Sequence, residues 1–139
     1  MADRLTRGRH KFDEVYGQEA SDRFMAGYSG LAQDLARYGI EFNFGDIYSR
    51  PGLTLAQREI ATIAALVALG GLEPQLRGHT RAALEAGLSP GEIIETVIHT
   101  VQYSGFPRAL NAVNVVTATL IEEGAEVPAP TAPSASGER

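Results

Sequence analysis

Cysteine and tryptophan are both missing from this chain, and methionine occurs only twice. Without cysteine there are no disulfides, thiolate metal sites or redox dithiols, so thiol chemistry is excluded outright. A basic surplus is missing too: 12 Lys and Arg stand against 17 Asp and Glu, for a net charge of −5 and a pI of about 5.1. Nucleic-acid binding calls for clustered positive charge, and this balance argues against it and against a polybasic membrane contact. No apolar run approaches the roughly 20 residues of a membrane span. The longest, Ile60 to Leu69, is interrupted by Thr62. The N-terminal Met1-Ala2-Asp3-Arg4-Leu5-Thr6-Arg7 carries charge without an apolar stretch, so it does not read as a secretory signal. Strand signals are absent as well: there is no sustained alternation, and no Asn-Gly or Asp-Gly hairpin turn. At 139 residues the expectation is one soluble, cytoplasmic, all-α domain.

What is present is helix punctuation. The polar, basic residues 1–10 suggest a flexible arm, and residues 11–124 a helical domain. Residues 125–139, rich in Pro, Ala and Ser, suggest a disordered tail. Phe24, Tyr28, Leu31 and Leu35 recur at helical spacing and predict a helix over roughly 19–38, closed by Gly39. Thr54-Leu55-Ala56-Gln57 is a capping box opening a helix that stops at Gly70-Gly71. Pro74 and Gly87 bracket the next helix. Ser89-Pro90-Gly91-Glu92 is a second capping box, and Pro107 opens a last helix. The helix from Leu55 to Leu69 is apolar nearly all round and must be covered on every side. One domain has few elements with which to cover it, so a symmetric homo-oligomer is expected.

Candidate chemistry centres on that helix and the next. Leu76, His79, Thr80, Ala83 and Leu84 follow helical spacing, which puts His79 on or beside a buried stripe. Arg77 and Arg81 share a flank of the same helix. An imidazole near apolar packing, with guanidinium groups within reach, could move a proton and hold an anion. Equally, it could be a core-edge histidine satisfied by a carbonyl. Glu59 sits one turn into the apolar helix, either as an acid or base or as a first-turn carboxylate favoured by the helix dipole. His99 lies near the end of its helix and can be structural, and His10 lies in the arm. Two or three histidines without a spaced carboxylate make no metal site. Gly70-Gly71 ends a helix and is not a phosphate loop, and neither Ser49 nor Ser104 has a nucleophile-elbow context. Arg50 sits in the aromatic-rich stretch Phe44 to Leu53, as a pocket-lining cation or as a surface partner of Asp46.

The stretch Phe44-Gly45-Asp46-Ile47-Tyr48-Ser49-Arg50-Pro51-Gly52-Leu53 resembles the "WG[ED]IW-[ST]-RPGL" loop of gamma-carboxymuconolactone decarboxylases. Val67-Ala68-Leu69-Gly70, Leu76 to Ala83 and Gly87 to Ile93 are similar to the same family in order, as is the closing Gln102-Tyr103-Ser104-Gly105-Phe106-Pro107-Arg108-Ala109-Leu110-Asn111-Ala112. The likeness covers roughly residues 10–122. It implies an alkylhydroperoxidase-like helical bundle assembled as a trimer or hexamer. In the redox branch of that superfamily a glutamate, a Cys-x-x-Cys pair and a histidine relay protons. Glu59 and His79 match the glutamate and histidine, while Leu72 and Gln75 stand near the cysteine positions, which excludes peroxidase activity. The decarboxylase branch is cofactor-free and acts on a small anionic lactone. By that likeness His79 donates the proton with Glu59 beside it, and Arg50 or Arg81 clamps a carboxylate. Tyr48, His99 and Tyr103 complete a substrate site. Tyr48 and Phe44 stand where the decarboxylases carry tryptophan, Ser104 replaces a cysteine and Arg108 a small residue, so the pocket lining is expected to differ. Two other functions fit the same residues. One is dehydration, isomerisation or lactone opening in a biosynthetic pathway. The other is a non-catalytic oligomer that binds a small ligand, in which His79 would be packed with no cavity beside it.

Overall fold

A computed structural model describes residues 2–131. Among them are seven α-helices, one π-helical stretch and no strand, in keeping with the all-α expectation. The helices are α1 (Arg4–Tyr16), α2 (Ala20–Ala26), α3 (Ala32–Gly39), α4 (Leu55–Leu69), α5 (Glu73–Glu85), α6 (Pro90–Ser104) and α7 (Phe106–Glu122). From α3 the chain runs directly into nine residues of wider π-helical winding, Ile40–Tyr48.

The second half follows its punctuation. Thr54 Oγ1 accepts from the Gln57 amide at 3.2 Å, and Gln57 Oε1 accepts from the Thr54 amide at 2.9 Å. Ser89 and Glu92 make the same reciprocal pair at the start of α6. Such caps contribute about 0.5–2 kcal/mol each by satisfying amides that the first turn leaves open. Helices α4 to α7 enclose the main core, in which Ile63, Val67, Leu76, Ile93, Val97, Val116 and Leu120 are buried.

The first half departs from its sequence reading. Residues 3–10 of the expected arm are no loose segment: α1 begins at Arg4, capped by Asp3 Oδ1, which accepts from the Thr6 amide at 2.8 Å. Its basic residues find acids elsewhere in the chain. Arg4 and Arg7 meet Asp46, and Arg9 meets Asp22. The backbones of α1 and the π-helix approach closely where two glycines face across. A Cβ on Gly8 would stand 2.4 Å from the Ile40 carbonyl oxygen, and one on Gly45 would stand 2.7 Å from the Arg4 carbonyl oxygen. The helix expected over 19–38 is two helices, separated at Gly27 to Leu31, with Gly30 in the left-handed region at φ +56°. The residues at that spacing divide: Phe24 packs against Phe12, whereas Leu31 is 87% and Leu35 73% exposed in this chain. The aromatic stretch from Phe44 is helical as far as Tyr48 and turns only afterwards.

Phe12, Val15, Ala20, Ile40, Phe44 and Ala82 form a second, aromatic core between α1, the π-helix and α5. At the other end, Ala125 and Val127 pack against the main core, and the Ala125 amide donates to the Leu120 carbonyl at 2.9 Å. The ordered chain thus runs past residue 124. Residues 132–139 of the expected tail lie outside the described residues.

Candidate active site

On α4, Leu55 packs with the aromatic core and Ile63 belongs to the main core. Glu59 lies one turn from each on the same face. On α5, Leu76 and Ala83 belong to the main core and Ala82 to the aromatic one, with His79 among them. The seam between the two cores therefore holds both ionisable side chains. Glu59 is only 1% exposed, and a carboxyl so placed requires polar partners. It has two. Glu59 Oε2 lies 2.7 Å from His79 Nδ1, and Glu59 Oε1 accepts from the Tyr48 hydroxyl at 3.1 Å. The Tyr48 hydroxyl also lies 3.0 Å from Thr62 Oγ1.

With Nδ1–H donated to the carboxylate, the other ring nitrogen is left for chemistry. His79 Nε2 lies 2.9 Å from the Tyr16 hydroxyl. Tyr16 sits at the C-terminal end of α1 and packs against Phe12 and Phe44. Burial, reinforced by the negative charge of Glu59, pushes its phenol well above the ordinary value, so it stays protonated and can donate. Burial likewise pushes Tyr48 up to about 12.

His79 and Tyr16 open on a cavity of about 450 Å³ whose wall is mainly aromatic, from Phe12, Phe24, Tyr28 and Phe44. Asn43 and Gln75 supply its amide groups. A cavity this size suits a small organic molecule. Among the described residues, no Arg or Lys lines it.

Of the residues singled out in the sequence, the structure brings together His79, Glu59 and Tyr48. Tyr48 serves as a hydrogen-bond donor to Glu59 from behind and is not part of the cavity wall. Arg81 is engaged elsewhere: its Nε donates to Glu123 at 2.5 Å and its Nη2 to Glu122 at 3.1 Å, both on the chain following or ending α7. Arg50 is exposed and lines no described part of the cavity, and its suggested partner Asp46 is taken by Arg4 and Arg7. His99 and Tyr103 stack on the outer face of α6, with Tyr103 81% exposed, and neither lines the cavity. Sequence reasoning missed Tyr16, Phe12 and Asn43. Phe12, Val15 and Tyr16 carry helical spacing, and Asp3, a favoured N-cap residue directly before Arg4, was an available start signal.

Among the described residues, no group of three or more His, Asp or Glu side chains is placed to hold a metal ion. No helix there is long and apolar enough to cross a membrane.

The helices of the described residues thus set a glutamate–histidine pair, its carboxylate fully buried, beside an aromatic cavity. The model of the carboxymuconolactone decarboxylase family matches residues 33–118. The chain is 33% identical over 112 residues to the 4-carboxymuconolactone decarboxylase of Acinetobacter baylyi, covering 81% of this chain and 83% of that protein. It is 36% identical to an uncharacterized 15.0 kDa protein of Paracoccus denitrificans over 63% of this chain and 66% of that one. It is 35% identical to the nitrosuccinic acid decarboxylase of Metarhizium robertsii over 58% of this chain and 55% of that enzyme. The chain belongs to the carboxymuconolactone decarboxylase family. Glu59 and His79 fall within the family match, whereas α1, which supplies Tyr16 and Phe12, lies outside it.

Proposed function

We propose that this protein is a cofactor-independent decarboxylase acting on a small anionic, lactone-type substrate, with His79 as the proton donor. Family membership and two relatives named as decarboxylases support the reaction class. The observation that carries the assignment to His79 is its 2.7 Å contact with the fully buried Glu59, at the wall of an aromatic cavity. A non-catalytic histidine has no need of such a cavity beside it.

The chemistry follows from the donors. The bond from the ring carbon to the carboxylate breaks, carbon dioxide leaves, and the electron pair passes into the conjugated lactone carbonyl. The resulting enolate is stabilised by hydrogen bonds at its oxygen, which the neutral Tyr16 hydroxyl supplies. The carbon then takes a proton from His79 Nε2–H, and the imidazole recovers one from water. One proton is consumed for each carbon dioxide released. Glu59 holds the ring in the tautomer that exposes Nε2 and stabilises the imidazolium between turnovers. The aromatic wall destabilises a carboxylate relative to neutral carbon dioxide, since a charge is costly to bury without pairing. With no guanidinium in the wall among the described residues, His79 is the basic side chain that meets the substrate.

The test is incubation of the protein with 4-carboxymuconolactone and nitrosuccinate in deuterium oxide. Carbon dioxide release with one solvent deuterium on the product carbon is expected. Deuterium incorporation or lactone opening without carbon dioxide would instead assign the alternative proton-transfer reactions of the same scaffold.

A further inference from the structure

Tyr48, whose hydroxyl reaches Glu59, also lines a second cavity of about 320 Å³. Its wall is apolar at Ile47, Leu53, Ala61 and Ala65, with Tyr48, Thr62 and Arg58 as its polar members. Arg58 is unlike most arginines of the chain. Arg4, Arg7, Arg9, Arg37, Arg77 and Arg81 each have a carboxylate within 4 Å. Arg58, though partly buried, has none among the described residues. Its Nη2 donates to the Arg50 carbonyl at 2.8 Å, and its guanidinium lies 5.8 Å from the centre of the Tyr48 ring. Its Nε is shut off from solvent with no hydrogen-bond partner at all. A guanidinium with no carboxylate beside it is best satisfied by an external anion, which would meet it at the Nη edge because Nε is closed to solvent.

We propose that this cavity is a binding site for a small carboxylate anion with a hydrocarbon body, held by the Arg58 guanidinium. One cation against apolar walls fits a single carboxylate on an apolar frame. A phosphate would bring three strongly hydrated oxygens to a wall with few donors. Tyr48 shares this wall and donates to Glu59, so a ligand here is one side chain removed from the Glu59–His79 pair. The site is separate from the cavity at His79, and its existence does not depend on the decarboxylase reading.

The probe is benzoate, titrated into the full-length protein with the arginine Nε–H resonances observed by nitrogen-15 NMR. The Arg58 signal is identified by its loss in Arg58→Met. A saturable shift of that signal is expected. Ala65→Phe, at an exposed position of the same wall, fills the cavity without touching the core and should weaken the response at least about tenfold, as expected for loss of a charged hydrogen bond. Inorganic phosphate at equal concentration should leave the signal in place. An Arg58 resonance that does not move with benzoate overturns the proposal, as does an equal response in Ala65→Phe. An equal or stronger response to phosphate overturns the carboxylate assignment. Benzoate carries no lactone and is not a substrate of the proposed reaction, so neither outcome bears on the chemistry at His79.

Discussion

Gly8→Ala tests how α1 holds Tyr16 against His79. The added methyl would stand 2.4 Å from the Ile40 carbonyl oxygen and 2.9 Å from its carbon. Those atoms are backbone within a helix, so no rotamer change relieves the contact. The two segments must separate by about 1 Å, and overpacking of this kind costs about 1–3 kcal/mol. Replacing a helical glycine with alanine returns up to about 1 kcal/mol in propensity. The net loss of up to about 2 kcal/mol should lower the melting temperature by as much as about 8 °C for a chain of this size. Gly39→Ala is the matched control: its backbone is helical at φ −59°, and an added Cβ there meets no atom within 4 Å. It should raise the melting temperature by about 2–4 °C. Tyr16 lies two turns beyond Gly8 on α1, so the displacement should also loosen its 2.9 Å contact with His79 Nε2, moving the imidazole nitrogen shifts toward those of Tyr16→Phe. If Gly8→Ala stabilised the protein as Gly39→Ala does, the close approach of α1 and the π-helix would be refuted.

Three further outcomes are expected. The Arg4 guanidinium holds Asp46 below its ordinary carboxylate value of 3.8, so this pair stabilises the fold above that pH and its contribution disappears as pH falls through the lowered value. Asp46→Asn should therefore melt below wild type near neutrality and converge with it in acid; a gap that widened on acidification would contradict the pairing. The exposed apolar side chains of Leu31, Leu35, Leu69, Phe106 and Leu110 should be covered by further copies of the chain, giving a multimeric mass by light scattering, whereas a monomer at micromolar concentration would rule this out. Glu59→Gln keeps the side chain's shape and removes its charge. If Glu59 orients His79, turnover should fall by roughly one to two orders of magnitude with little change in KM; a silent substitution would reduce Glu59 to a structural partner.

The helices of the second half were legible because their signals are local. Thr54 with Gln57 and Ser89 with Glu92 close their caps within four residues, and Pro74, Gly70 and Pro107 act through their own dihedrals. The Glu59–His79 pair was half legible. Helical spacing placed each residue on a buried face, but their meeting depends on how α4 and α5 cross, which no spacing encodes. The first half was misread for the same reason in reverse. The charges of α1 look like those of a solvated arm until their partners, Asp46 and Asp22, are brought in from distant segments. The stripe of Phe24, Tyr28, Leu31 and Leu35 has helical period, yet Gly27 and Gly30 break it, and Leu31 and Leu35 face outward. Arg50 and Arg81 were attractive as clamps because a guanidinium suits a carboxylate. Arg81 also suits Glu122 and Glu123, which α7 places beside it.

Whether His79 delivers the proton that replaces carbon dioxide is read from the rate of carbon dioxide release by His79→Ala beside wild type on the same carboxylated lactone. The expected result is a loss of roughly two to four orders of magnitude, the usual contribution of a positioned acid or base, with the molecular mass in solution unchanged. Carbon dioxide release by His79→Ala at the wild-type rate would contradict the account.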